Sequence, residues 1–123
     1  MFDVTGYNIS LSRGDTGAMT VNATATLEGS AYTFDEDDRA LFSIKNNNGE
    51  IVYQKAYEMT DNRFTVYFLN ADTDDLSPGD YSWDVRYIIH PYYNSEGKII
   101  DGDQVITPKE PQAMRLLVVV GDV

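Results

Sequence analysis

The segment Leu76-Ser-Pro-Gly-Asp-Tyr81-Ser-Trp83-Asp-Val85-Arg-Tyr87-Ile-Ile89 constrains the fold more than any other stretch of this chain. Pro78 presets its own φ and Gly79 accepts backbone angles closed to other residues, so the chain turns at this pair. Beyond the turn, a large apolar or aromatic side chain recurs at every second position, which is the period of a strand with one buried face. Tyr81, Trp83, Val85, Tyr87 and Ile89 therefore share a face directed at a core, and the strand is expected to end at His90-Pro91. A turn followed by Tyr, with a large buried residue two positions later, describes a strand corner in which the Tyr hydroxyl bonds back to the corner backbone. Pro78, Gly79, Tyr81 and Trp83 are assigned to that structural corner.

The rest of the chain agrees with this period. Tyr7 to Ser12 reads as a strand, and Arg13-Gly-Asp-Thr-Gly17 as a tight connection in which Asp15 or Thr16 bonds its own backbone. Met19, Val21, Ala23, Ala25 and Leu27 alternate with polar residues as one half-buried strand from Met19 to Glu28. After the acidic loop Phe34-Asp-Glu-Asp-Asp38, Ala40, Phe42 and Ile44 alternate inward. Asn46-Asn-Asn-Gly49 then reverses the chain into Ile51 to Met59. Thr60-Asp-Asn62 makes a second turn into a strand with Phe64, Val66 and Phe68 inward, and Asn70 to Leu76 suits a single helical turn with an Asp near its start as N-cap. The last strand carries Met114, Leu116, Val118 and Val120.

Between His90 and Pro111 lie about twenty residues, which is long for a compact domain without structure of its own. Tyr92 to Gly97 reads as the tip of an extended hairpin, Lys98 to Ile106 as its returning arm, and Thr107 to Pro111 as its closure. The pattern argues for one domain, residues 1–123: an all-β, immunoglobulin-like antiparallel β-sandwich of roughly seven or eight strands, with a long hairpin-like excursion before the last strand.

Composition narrows the functional classes. Twenty acidic against nine basic residues give a net charge of −11, which repels phosphate backbones and anionic lipid. Neither nucleic acid nor membrane is an expected partner. There is no cysteine, so a disulfide framework and a thiolate metal site are both excluded. The N-terminal residues lack the basic start and apolar run of a signal peptide, and the longest apolar run, Leu116 to Val120, is too short to span a bilayer. The expectation from these features is a soluble chain of the bacterial cytoplasm, with no export signal of its own.

Catalytic chemistry has little to stand on. The single histidine, His90, sits beside Pro91 as a surface turn residue, and a carboxylate such as Asp84 or Asp101 would be needed to orient it. Carboxylates cluster at Asp35 to Asp38, Asp72 to Asp75 and Asp101 to Asp103, but none has the spacing of a calcium loop, so no metal and no cofactor are assigned. A partner-binding surface is expected instead at Pro91, Tyr92, Tyr93, Asp101 and Asp103, where amphipathic rings stand on a projecting hairpin.

The pattern Ile9-Ser-Leu-Ser-Arg13-Gly-Asp-Thr16, the Asp35/Asp38 loop before the Phe42 strand and Leu76-Ser-Pro-Gly-Asp-Tyr81 together resemble a known group. The chain is similar to the immunoglobulin-like proteins of phages and prophages in Gram-positive bacteria, notably the N-terminal domain of siphophage baseplate upper proteins. That resemblance implies a non-enzymatic virion structural protein of the tail or baseplate, acting as a homo-oligomer through contacts with other virion proteins. The larger baseplate proteins continue past this module, so an adaptor or decoration role is the expectation for a chain stopping at Val123. The alternative is a calcium- or carbohydrate-binding sandwich module, for which Trp83, Tyr93 and the acidic loops are the candidate contacts.

Overall fold

The structure, a computed structural model, describes residues 2–107 and 115–120. It is all-β apart from one helical turn. One large sheet is built from β1 (Phe2–Thr5), β2 (Asn8–Ser12), β6 (Arg39–Lys45), β7 (Ile51–Glu58), β9 (Gly79–Tyr93), β10 (Ile99–Ile106) and β11 (Arg115–Val120). Its strand order is β1-β2-β11-β9-β6-β7, with β10 also paired to β9. A second sheet pairs β3 (Gly17–Asn22) with β8 (Arg63–Phe68), and β4 (Thr26–Leu27) with β5 (Ser30–Ala31) forms a small separate hairpin. The turn α1 (Asn70–Asp74) links β8 to β9. Pairing is antiparallel except between β2 and β11, which run parallel.

The two main sheets face each other across one core. Phe42 and Trp83 from the large sheet pack as tilted rings at 5.3 Å between centroids, Phe42 meets Phe68 of the second sheet at 5.9 Å, and Phe64 meets Tyr87 at 6.2 Å. Ile9, Leu11, Val21, Ile44, Val66 and Val85 fill the space between these rings and are all buried. Each such side chain contributes on the order of 1.5–3 kcal/mol by leaving water.

The corner forms as its residues dictate. Gly79 takes a φ of 150°, and the Tyr81 hydroxyl donates to the Ser77 carbonyl at 2.6 Å. Trp83 is buried, and its indole N–H donates to the Tyr7 carbonyl at 2.9 Å. In the Arg13-Gly-Asp15 turn, the Asp15 carboxylate accepts from the Ser12 amide at 2.9 Å.

Several elements differ from the reading of the sequence. Eleven strands are present among the described residues rather than seven or eight. β1 was not expected. The alternation from Met19 to Glu28 is not one strand: the ladder stops at Asn22, where the Ala23 amide turns to the Asn62 carbonyl, and Glu28 and Gly29 at positive φ close the β4–β5 hairpin. In α1 the cap is Leu69, whose amide donates to the carboxylate of Asp72. The last strand is seen from Arg115, while Met114 and the closing turn from Pro108 to Pro111 lie outside the described residues.

The largest revision concerns β9. It does not end at His90 but runs on to Tyr93, and β10 pairs with it from Ile106 opposite Tyr87 up to Ile99 opposite Tyr93. One edge of β9 is thus shared, by β11 along Gly79 to Trp83 and by β10 along Tyr87 to Tyr93, while β6 holds the other edge from Ser82 to Ile88. The expected excursion is a hairpin rooted in the sheet itself.

Candidate functional site: the β9–β10 hairpin and its acidic clasp

The hairpin tip is built from Asn94-Ser-Glu-Gly97-Lys98. The Asn94 amide donates to the Lys98 carbonyl at 2.9 Å, and the Asn94 side-chain oxygen accepts from the amides of Glu96 and Lys98. Gly97 takes a φ of 79°, which an L side chain rarely adopts. The same five-residue device, Asn46 to Glu50 with Gly49 at φ 80°, closes the β6–β7 hairpin. Gly102 lets the returning arm close in: a Cβ there would lie 2.5 Å from the Ile88 side chain and 2.9 Å from the Ile89 carbonyl.

At the root of the arm, His90 sits within a strand, not a turn. Its backbone is left-handed, with φ 47°, and its amide leaves the sheet to donate to Asp38 Oδ1 at 3.0 Å. Asp38 is fully buried, and its other oxygen accepts from the Tyr32 hydroxyl and the Asp35 amide, each at 2.8 Å. Those bonds make the Phe34-to-Asp38 loop a rigid platform. Burial, and then the Asp38 carboxylate, push the Tyr32 phenol up to about 12.

The imidazole of His90 lies between two further carboxylates. Nδ1 is 3.3 Å from Asp103 Oδ2 on β10, and Nε2 is 3.6 Å from Asp35 Oδ2 on the loop. Partial desolvation works against the imidazolium, but the carboxylates of Asp103, Asp38 and Asp35 outweigh it and raise the His90 pKa above 6.5. Tyr92 donates its hydroxyl to Asp103 Oδ1. That bond, opposed by desolvation and helped by His90, holds the Asp103 carboxyl below its ordinary value, and the same bond raises the Tyr92 phenol. His90 is thus held by Asp35 and Asp103. Asp84 instead faces Lys45 Nζ at 3.3 Å, and the carboxylate of Asp101 turns back to the Gly102 amide at 2.8 Å.

Of the residues expected to meet a partner, Tyr92 and Asp103 are drawn into this clasp with His90, and Pro91 is paired to Gly102 in the ladder. Tyr93, the next residue along the strand, faces a different way, toward Leu41 and Ala56 on the outer side of the large sheet. Both rings stay half exposed, Tyr92 at 51% and Tyr93 at 48%. Asp35 and Asp38 had not been assigned to the partner surface. The signal for them was the acidic loop itself, but 52 residues separate Asp38 from His90, and nothing local ties the two together.

Among the described residues, no group of three or more His, Asp or Glu side chains is arranged to hold a metal ion. No helix among them is long and apolar enough to cross a membrane. The arrangement defines a two-sheet β domain carrying a braced aromatic hairpin. No protein-family model matches the chain, and neither a curated protein nor a solved structure matches it.

Proposed function

We propose that this chain is a non-enzymatic structural module of a phage or prophage particle, working through protein–protein contacts made by the β9–β10 hairpin. The observation that carries the contact reading is the pairing of exposure with rigidity: Tyr92 and Tyr93 are half exposed on an arm braced by Asp35, Asp38 and Asp103. Rings held in place lose little further conformational entropy when a partner covers them. The Tyr81 corner and the packing of β2, β11, β9, β6 and β7 against β3 and β8 support the immunoglobulin-like reading of the frame. The resemblance to phage and prophage proteins supplies the setting. Within it, the module joins copies of itself and neighbouring virion subunits as an adaptor or decoration.

Deleting Tyr92 to Gly97 is the test. The shortened chain is expected to keep its β circular-dichroism spectrum and to lose self-association in sedimentation. Retained association after that deletion overturns the reading.

The rival sugar-binding reading draws on Trp83, and that ring is only 1% exposed between Phe42 and Tyr7. A buried indole cannot serve as a sugar platform.

A further inference from the structure

Strand β8 has a strand partner along one edge only. Its ladder with β3 runs without a break from Phe68 opposite Gly17 to Arg63 opposite Asn22, and just beyond it the Asn62 carbonyl accepts from the Ala23 amide. On the other edge, Arg63 and Thr60 exchange amide-to-carbonyl bonds of 2.9 and 3.0 Å across a two-residue turn, in which Asp61 and Asn62 take φ of 52° and 56°. The Tyr67 carbonyl faces the same way, since it accepts from the Tyr57 hydroxyl at 3.4 Å. Backbone groups alternate sides along a strand, so those of Phe64, Val66 and Phe68 face β3 and those of Arg63, Thr65 and Tyr67 face away. Among the described residues, no backbone group pairs with the outward amide and carbonyl of Thr65 or with the outward amide of Tyr67.

β7 does not cover this edge. It meets β8 in a single rung at Thr60 and otherwise pairs with β6 in the facing sheet. Between the two strands lies an open hollow of about 590 Å³, walled by Ala56, Tyr57 and Glu58 on one side and by Arg63, Phe64, Thr65 and Tyr67 on the other. The rings of Tyr57 and Phe64, both buried and stacked at 6.3 Å between centroids, close its inner side. Thr60 occupies the edge beside Arg63, and at the far end the Leu69 amide is bonded to Asp72, so the open length runs from Phe64 to Phe68. A row of unpaired backbone groups beside an apolar wall is a template for one more strand.

We propose that this seam binds an extended segment of another protein chain, which adds as a strand antiparallel to β8 in the sense that the Thr60 rung already sets. The segment bonds both backbone groups of Thr65 and replaces the long Tyr57 contact at Tyr67 with an amide. Backbone bonds tolerate many sequences, and the inner wall restricts them: alternate residues of the segment face Tyr57 and Phe64 and are apolar or β-branched. Charge narrows the choice further. Arg63 stands against Glu58 and Asp61 in the lining, Glu58 also lies 3.8 Å from Arg39, and the chain as a whole carries −11. An acidic segment is repelled by that field and a second copy brings the same charge again, so the occupant is a neutral or basic segment of a different protein. None of Tyr92 to Gly97 lines the seam, and the proposal stands apart from the contact reading of the hairpin.

The probe is the blocked peptide acetyl-Thr-Val-Thr-Val-Thr-Lys-amide, titrated to millimolar concentration into the isotope-labelled full chain and followed by NMR. The Thr65 and Tyr67 amide resonances are expected to shift to saturation and their hydrogen exchange to slow, while Phe64 and Val66, already in the β3 ladder, keep the protection they had. The same peptide N-methylated at alternate residues cannot complete a ladder and is expected not to bind, and Glu in place of its Lys is expected to weaken binding. Thr65→Pro removes an amide that faces away from β3, so it is expected to keep the β circular-dichroism spectrum and to lose the peptide. Deleting Tyr92 to Gly97 is expected to leave peptide binding unchanged, which separates failure of the seam from failure of the hairpin. Absence of a saturable shift at Thr65 and Tyr67 overturns the proposal, as does equal binding of the N-methylated peptide or tighter binding of the Glu peptide. Protection of both amides that rises with protein concentration in the absence of peptide makes a second copy the occupant and overturns it too.

Discussion

His90 Nδ1 lies 3.3 Å from Asp103 Oδ2 across the β9–β10 ladder, and this contact ties the returning arm of the hairpin to the strand that carries it. The other ring nitrogen faces Asp35, so one imidazole joins β9, β10 and the loop before β6. The clasp is a set of charge-assisted contacts at the surface, and its strength therefore follows pH and salt.

The first expectation follows from the sign of the titration. His90 binds its proton more tightly when folded, so its contribution to stability is complete below about pH 6.5 and is lost as pH rises through the raised folded value. Asp103 works in the opposite direction, contributing above its ordinary carboxylate range and losing that contribution as pH falls through its lowered folded value. The clasp is thus strongest at mildly acidic pH. Because the chain has one histidine, an NMR titration of its ring reads the site directly, and the midpoint is expected above 6.5 and to move down in Asp103→Asn. A midpoint at or below 6.5 in the unaltered chain contradicts the geometry.

Asp38→Ala removes the acceptor for the Asp35 and His90 amides and the Tyr32 hydroxyl. Leaving such donors without a partner costs on the order of 2–4 kcal/mol, measurable by urea denaturation. The Tyr32 phenol, now about 12, is expected to titrate lower in this variant, which difference absorbance can follow.

Tyr81→Phe keeps the ring and deletes the hydroxyl that reaches the Ser77 carbonyl. A loss of about 1 kcal/mol is expected, the usual net value of one such bond. An unchanged denaturation midpoint would show that the corner is held by packing alone.

Trp83 is the only tryptophan, so fluorescence reports one place in the core. Its emission is expected to be blue-shifted and poorly quenched by acrylamide, and to be insensitive to added oligosaccharides. Strong quenching in the folded chain would return it to the surface and revive a sugar-binding role.

Gly102→Ala forces a methyl group against the Ile88 side chain and the Ile89 carbonyl. The backbone cannot yield as a flexible side-chain end would, and a cost of about 1–3 kcal/mol is expected. Hydrogen exchange should quicken along Ile99 to Ile106 before it does in the β3–β8 pair.

Where an element rests on local rules, it was legible in the order of residues. Pro78-Gly79-Asp-Tyr81 specifies its own corner, and Asn46 to Gly49 and Asn94 to Gly97 specify their own turns, because the deciding bonds join residues at most four positions apart. The inward faces of β6, β8 and β9 followed from a period of two. Alternation alone could not reveal that the stretch from Met19 ends its ladder at Asn22, where the Ala23 amide donates a hydrogen bond to the carbonyl of Asn62, 39 positions away in the chain.

The proposed partner surface divides along the same line. Its rings, Tyr92 and Tyr93, were visible as a composition, but their opposite directions and the clasp beneath Tyr92 were not. His90 was misplaced in a turn because Pro91 after it reads locally as a stop, whereas pairing with β10 carries the strand through to Tyr93. By itself the sequence determined that the chain is all-β, that it turns at Asn46 to Gly49, at Pro78-Gly79 and at Asn94 to Gly97, and which faces of β6, β8 and β9 are buried, since these depend on steric preference and solvent exclusion over a few residues. Only the tertiary structure decided that Asp35, Asp38, His90 and Asp103 meet, since ladders between strands distant in sequence set which charges become neighbours.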